Sequence, residues 1–300
     1  MPPPPSTVKV LESSDGTHIY AEATGAPHNP HVVLLAGLTL SGCVFDEFCA
    51  EQSLLDNLYI VRYDVRGHGR SEKPTTPEAY ESKIFADDFK AVMEAFGLQR
   101  PVLVGWSTGA AIATDVVSHL PPATISGVVY LSGMCAMGEL ANAVAAPALI
   151  NALPGLMSTD NVTAFQLAGV IFNEALFANP ETVPYSVKCM YMAMGHSLPA
   201  AVLGLSLSRP MDVEHLWTAG KDGLPLLVLQ CTADGHRKGG KEHIKDIVKP
   251  HFKNCEVFLL DVEGRGHALH YECPKEIADK LIMFTRDFGG KDYRDAKVQI

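Results

Sequence analysis

The chain has 300 residues, of which 47% are hydrophobic and 19% are charged. This supplies enough apolar surface for a large core and excludes intrinsic disorder of the whole chain. The 24 Lys and Arg residues are outnumbered by 34 Asp and Glu, for a net charge of −10 at pH 7, and no basic block could neutralise a run of phosphates. Nucleic acid is therefore not an expected partner.

The N-terminal segment Met1–Thr7 has neither the basic nor the apolar stretch of a secretory signal. No uninterrupted apolar run of about 18 residues, the length of a membrane span, occurs elsewhere. The seven cysteines are scattered without a C-x-x-C pair, which favours thiols over a disulfide framework or a zinc site. These features predict a cytoplasmic protein with no membrane span.

Short β-prone segments recur along the chain. Thr7–Leu11 and Thr17–Glu22 flank a Ser-Ser-Asp-Gly turn, which predicts a hairpin. Apolar residues at three- and four-residue spacing over 84–96, followed by Gly97, predict a helix. Apolar runs typical of strands buried on both faces lie at His31–Leu35, Leu58–Tyr63, Val102–Val104, Val128–Leu131, Leu226–Leu229 and Val257–Leu260. The alternation predicts an α/β fold with a mostly parallel sheet flanked by helices.

This alternation is interrupted between about Gly133 and Trp217, where no strand signal occurs. The interval holds seven of the ten methionines and few charges. We therefore expect a helical cap over 134–216, inserted after the sixth strand into a core formed by 1–133 and 217–300. Methionine lines adaptable apolar sites and also fills helical cores, so the cap is either a lid over a pocket or a Met-rich core.

A G-x-S-x-G motif, Gly105-Trp-Ser107-Thr-Gly109, follows the apolar run at 102–104 and precedes an Ala-rich helical start. A nucleophilic serine occupies this sharp strand-to-helix turn, where the flanking glycines remove side chains that would collide. Ser107 would then begin a helix, and the backbone N–H of Thr108 could hold a developing oxyanion.

A serine hydroxyl needs an adjacent base, normally a histidine that is oriented by a carboxylate. The apolar run at 226–229 leads into a loop with Asp234, and the run at 257–260 is followed by His267. The carboxyl ends of parallel strands meet at one edge of a sheet, where open α/β sheets bind ligands. We therefore expect these side chains to converge with Ser107.

With these motifs in the order Ser, Asp, His, the chain resembles the α/β-hydrolase superfamily over residues 15–288. Residues 62–71 (R-Y-D-V-R-G-H-G-R-S) are similar to the family's loop after the fourth strand. Residues 266–274 (G-H-A-L-H-Y-E-C-P) are similar to its catalytic-histidine segment. The resemblance implies an α/β-hydrolase fold.

The resemblance also implies the roles of individual residues. Ser107 would be the nucleophile, His267 the general base and acid, and Asp234 the carboxylate that orients the histidine. The second oxyanion donor of the family lies after the third strand, which implies the N–H of Leu38 beside that of Thr108. No metal and no cofactor is implied.

Other residues compete for these roles. Asp261 also precedes His267, but it lies at a strand end and not in the loop after the preceding strand, so Asp234 is preferred. His68 is flanked by glycines and is interpreted as a structural loop residue. His236 and His270 lie near the candidate residues and are interpreted as rim or structural groups.

The hypothesis from the sequence is a serine hydrolase that cleaves an ester, lactone or thioester of a mainly apolar small molecule through an acyl-enzyme. Carbon–carbon hydrolysis, acyl transfer and perhydrolysis use the same three side chains and stay open. A small-molecule receptor built on the same fold stays open too. The sequence does not predict the oligomeric state.

Overall fold

The computed structural model describes residues 6–231, 233–236, 243–260 and 265–295. Eight strands form one sheet in the order β1-β2-β4-β3-β5-β6-β7-β8. The strands are β1 (Thr7–Glu12), β2 (His18–Thr24), β3 (His31–Leu35), β4 (Tyr59–Tyr63), β5 (Val102–Trp106), β6 (Gly127–Leu131), β7 (Leu226–Cys231) and β8 (Cys255–Leu260).

The sheet is parallel from β4 through β3 to β8, and antiparallel only where β2 pairs with β1 and β4. The predicted hairpin and all six predicted strands are confirmed. Central strands covered by helices on both faces need apolar side chains on both faces. Every residue of β4, β5, β6 and β7 is accordingly buried.

Helices cover the sheet and fill the interval between β6 and β7. The α-helices are α1 (Asp46–Cys49), α2 (Gln52–Asn57), α3 (Ser82–Phe96), α4 (Ile112–His119), α5 (Glu139–Val144), α6 (Pro147–Leu156), α7 (Val162–Glu174), α8 (Tyr185–His196), α9 (Ala200–Ser208), α10 (Glu214–Asp222), α11 (His243–Val248), α12 (Leu269–Glu272) and α13 (Pro274–Phe288).

Two predictions about these helices are confirmed. The helix predicted over 84–96 is α3, and Gly97 ends it with φ 65°, a left-handed conformation that glycine adopts without strain. The interval after β6 is helical, with α5 to α9 following one another before α10 leads into β7. The boundaries of the cap at 134 and 216 stay a prediction.

Among the described residues, no single helix is both long enough and apolar enough to cross a membrane. Helices α8 and α9 meet that standard only when taken together, across a bend of 79°.

A buried ion pair anchors the loop after β4. The Arg66 guanidinium is fully buried and donates to both carboxylate oxygens of Asp88 on α3, at 2.8 and 2.6 Å. It also donates to Asp15 in the hairpin turn at 2.8 Å and to the Ala79 carbonyl at 2.7 Å. Burial raises the pKa of Asp88, and Arg66 opposes this shift. One side chain thus joins the loop, the hairpin and α3.

We expect the substitution Arg66→Met to lower the free energy of unfolding by about 3–5 kcal/mol, because the Asp88 carboxylate would be left buried without its cation. Urea denaturation measures the change. Lys275→Met is the control, because Lys275 pairs with Asp279 at the protein surface and such pairs contribute little. Equal losses in the two variants would contradict the role given to Arg66.

Candidate active site

Ser107 lies at a sharp turn between β5 and a short 3₁₀ helix, Ser107–Ala111. Its φ is 54°, in the left-handed region that non-glycine residues rarely occupy. Such a backbone costs on the order of 1–3 kcal/mol and persists where the surrounding structure enforces it. The predicted strand, turn and helix around the motif are therefore present.

The two flanking glycines explain how the turn is packed. A Cβ at Gly105 would lie 2.1 Å from the Cα of Ala110, and one at Gly109 would lie 2.5 Å from the carbonyl oxygen of Ala36. Both distances are far inside van der Waals contact, and the nearby atoms belong to the backbone. The motif therefore needs glycine at both positions for steric reasons.

The loop after β3 lies directly against the serine. A Cβ at Gly37 would lie 2.9 Å from Ser107 Cβ and 3.6 Å from Ser107 Oγ. The backbone N–H of the next residue, Leu38, makes no hydrogen bond within the described part of the chain. Thr108 is the second residue of its helix, so its N–H lacks an acceptor within that helix. Two amide groups are thus available beside the serine.

Asp234 and His267 form a buried pair. Asp234 lies three residues after β7, and both of its carboxylate oxygens contact His267 Nδ1, at 2.9 and 2.8 Å. Both side chains are fully buried. This contact assigns the proton to Nδ1 and leaves Nε2 as the acceptor. Nε2 has no hydrogen-bond partner among the described residues, so it makes none with Ser107 Oγ in this structure.

Trp106 links the histidine loop to the serine turn. Its indole N–H donates to the backbone carbonyl of His267 at 2.9 Å, and the two rings lie 5.6 Å apart. Trp106 immediately precedes Ser107, so this bond holds the backbones of the two loops together. The sequence interpretation assigned no such link.

Glu272 is a further residue whose role the sequence did not predict. Its carboxylate accepts the backbone N–H of Gly266 at 2.5 Å and that of Ala178, after α7, at 2.9 Å. Burial raises the pKa of Glu272. The side chain therefore fixes the residue before His267 and ties it to the helical insertion. The acidic residue five positions after His267 in this segment is the signal that could have indicated this.

The competing histidines make other contacts. His68 Nδ1 lies 3.1 Å from the Arg66 carbonyl, and burial lowers the pKa of His68.

His236 donates its backbone N–H to Asp234 Oδ1 at 2.9 Å, and its Nε2 lies 2.9 Å from the Phe172 carbonyl. His270 Nε2 lies 3.1 Å from the hydroxyl of Tyr191. Burial, and then the neighbouring His267, lowers the pKa of His270 to about 3.

The remaining competitor, Asp261, lies outside the described residues. The described residues contain no group of three or more His, Cys, Asp or Glu side chains that could hold a metal ion.

An apolar cavity of about 300 Å³ adjoins the two residues that carry these amide groups. Leu38 and Thr108 line it together with Met134, Met137 and Met157 of the helical insertion. Three of the seven methionines in the insertion thus line this cavity, although Met134 and Met137 are also buried in a small apolar cluster. Met194 is buried in the core.

Comparison with protein families identifies a relationship over most of the chain. Residues 32–280 match the model of the alpha/beta hydrolase family. Among solved structures, the esterase RhEst1 from Rhodococcus sp. ECU1013 is similar, with a TM-score of 0.81 and 24% sequence identity over 94% of this chain and 99% of that chain. At this identity the likeness concerns the fold.

Curated proteins match over shorter segments. "Probable oxidoreductase EphD" from Mycobacterium tuberculosis is 38% identical over 104 residues, 35% of this chain and 17% of that protein. "Non-heme chloroperoxidase" from Streptomyces lividans is 32% identical over 127 residues, 41% of this chain and 44% of that protein. The chain spans less than half the length of the curated relatives it matches.

Proposed function

The chain belongs to the alpha/beta hydrolase family, and we propose that it is a serine hydrolase that cleaves carboxylic esters of mainly apolar small molecules through an acyl-enzyme. The observation that carries this proposal is the buried contact between Asp234 and His267 Nδ1, which leaves Nε2 as a base with no hydrogen-bond partner among the described residues. The strained backbone of Ser107 and the link between Trp106 and His267 support it.

In the proposed reaction, Ser107 Oγ attacks the ester carbonyl carbon while His267 Nε2 accepts the hydroxyl proton. The N–H groups of Leu38 and Thr108 donate to the developing oxyanion. The imidazolium then protonates the alcohol oxygen as the ester bond breaks, and Asp234 stabilises that cation. Water, deprotonated by His267, cleaves the acyl-enzyme and releases the acid. No metal or cofactor takes part in these steps.

Labelling with a fluorophosphonate tests the proposal. We expect one covalent adduct per chain, measured by intact mass and located on Ser107 by peptide mapping. The reason is that a fluorophosphonate reacts with an activated serine and not with an ordinary one. Ser53→Ala, at an exposed serine on α2, should label like the wild-type protein, whereas Ser107→Ala should not label. An adduct at another residue, or none on the wild-type protein, would refute Ser107 as the nucleophile.

Other reactions of the same three side chains differ in what attacks or leaves the acyl group. Carbon–carbon hydrolysis, acyl transfer and perhydrolysis would all keep the labelling of Ser107, so product analysis with the corresponding substrates distinguishes them from ester hydrolysis. A small-molecule receptor would combine tight binding with slow turnover.

The cap over 134–216 and the cytoplasmic location stay predictions alongside this proposal.

A further inference from the structure

The apolar cavity lies between the core and the helical insertion. Leu38 and Thr108, the two residues whose N–H groups are assigned to the oxyanion, lie on its core side. Its volume of about 300 Å³ is at the lower end of the range for small-molecule sites, about 300–1,000 Å³. The cavity is therefore next to the two residues whose N–H groups are proposed to hold the carbonyl oxygen of a bound ester.

Helix faces from the insertion form the walls. Leu149 and Leu153, four residues apart, face the cavity from α6. Gly204, Leu207 and Ser208 face it from α9, with the spacing of one helix face. The wall thus consists of ridges from two helices that are distant in sequence.

Ala141 and Asn142 of α5, and Ala145 directly after it, complete the wall. None of the residues that line the cavity, all of them described, is Asp, Glu, Lys, Arg or His. Burying an isolated charge in such surroundings is costly, whereas burying apolar surface is favourable. The cavity therefore suits an uncharged, apolar group.

The lining also indicates which part of an ester enters. Neither Ser107 nor His267 lines this cavity. In the proposed reaction His267 protonates the alcohol oxygen, so the leaving alcohol must lie beside the imidazole. A cavity that adjoins the oxyanion donors but not the imidazole lies on the side of the acyl chain.

Gly204 leaves the wall open. A Cβ at this position would meet no heavy atom within 4 Å, although Gly204 lies in the middle of α9 and lines the cavity. Gly155 on α6 differs, because its Cβ would lie 2.6 Å from the Cβ of Ala168. A larger side chain at position 204 would thus find room beside the cavity that this residue lines.

We propose that this cavity binds the apolar acyl chain of a medium-chain ester, and that Gly204 sets the length of chain that fits. The inference rests on the proposed function, because it takes Leu38 and Thr108 as oxyanion donors. It adds the substrate class and a residue that determines specificity.

The test compares kcat/KM for p-nitrophenyl acetate, butanoate, octanoate and decanoate. Wild-type protein should prefer octanoate or decanoate, and Gly204→Leu should lower the decanoate-to-acetate ratio about 10-fold or more, because methylene groups lose their space. Leucine is a better helix former than glycine, so the substitution should not unfold α9. Ala201→Leu adds the same side chain at an exposed position of α9 outside the cavity lining and should keep the wild-type ratio.

A second series varies the alcohol, with ethyl, butyl and octyl acetate. Gly204→Leu should leave the order of preference in this series unchanged, and a changed order would overturn the assignment to the acyl side. An unchanged acyl ratio in Gly204→Leu, with esters still hydrolysed, would refute the inference and leave the proposed function standing.

Binding of decanoate, measured by isothermal titration calorimetry, is a readout that does not depend on turnover. If no ester is hydrolysed, the proposed function fails, and the cavity is judged by binding alone. Binding to wild-type protein that is lost in Gly204→Leu supports the apolar-chain site. Equal binding to both proteins, or no binding to the wild-type protein, overturns it.

Discussion

Replacing Ser107 by alanine is expected to lower kcat for p-nitrophenyl ester hydrolysis by about 10⁶-fold, the scale seen when the nucleophile of a serine triad is removed. Without Oγ no acyl-enzyme forms, and only the oxyanion donors and substrate binding would contribute. Alanine bears the same Cβ as serine, so the cost of the backbone at φ 54° stays the same. Steady-state kinetics measure the loss, and the urea midpoint should not fall.

The double variant Ser107→Ala/His267→Ala separates a catalytic unit from two independent effects. Residues that act as one unit are strongly non-additive, so the second substitution should cost little further activity. Ser53→Ala is the matched control at an exposed serine and should hydrolyse the ester at the wild-type rate. A loss below about 10²-fold in Ser107→Ala would remove this serine from the reaction.

Replacing Asp234 by asparagine is expected to lower kcat by about 10⁴-fold, because the amide favours the wrong tautomer of the histidine. The asparagine NH₂ group would donate to His267 Nδ1 in place of the present contacts at 2.8 and 2.9 Å. The ring proton would move to Nε2, which could then no longer accept the proton of Ser107. The asparagine oxygen can still accept the N–H of His236, so the loop should keep its fold.

The same kinetic assay checks this result, with Asp222→Asn as the control at an exposed carboxylate on α10. The control should retain wild-type turnover. If Asp234→Asn keeps its activity within about tenfold of the wild-type protein, a residue other than Asp234 supplies the carboxylate that orients His267. Asp261, the competitor considered from the sequence, would then be the residue to replace.

Much of the candidate site could be predicted from local sequence patterns. Each proposed residue follows a strand whose apolar run is visible in the sequence, and parallel strands bring their carboxyl ends to one edge of the sheet. At Gly105 the requirement for no Cβ is local, because the clash would be with Ala110 of the same turn. At Gly109 the clash would be with the backbone of Leu35 and Ala36, so the motif marks this glycine but the reason for it lies in the fold.

The contacts of Glu272 and Trp106 that support the site could not be predicted from the sequence. The Glu272 carboxylate joins Gly266 to Ala178, and the Trp106 indole bonds to the carbonyl of His267, 161 positions away. Glutamate and tryptophan are common in many other roles, so their residue types alone predict no partner. The bond to Gly266 spans six residues, but the bonds to Ala178 and from Trp106 exist only because the fold brings distant segments together.

The sequence by itself determined the order of the strands along the chain and the helical interval after β6, because buried periodicity is a local property, and its motifs supplied the residues that are proposed for the chemistry. Only the tertiary structure decided which carboxylate among the described residues contacts His267, which histidines serve other contacts, and where the apolar cavity lies. Helix α9 is apolar on nearly every side, so its sequence does not show which face Gly204 belongs to. That face is decided by packing against the core, in which Val202 and Leu203 of α9 are buried, and packing depends on the whole chain.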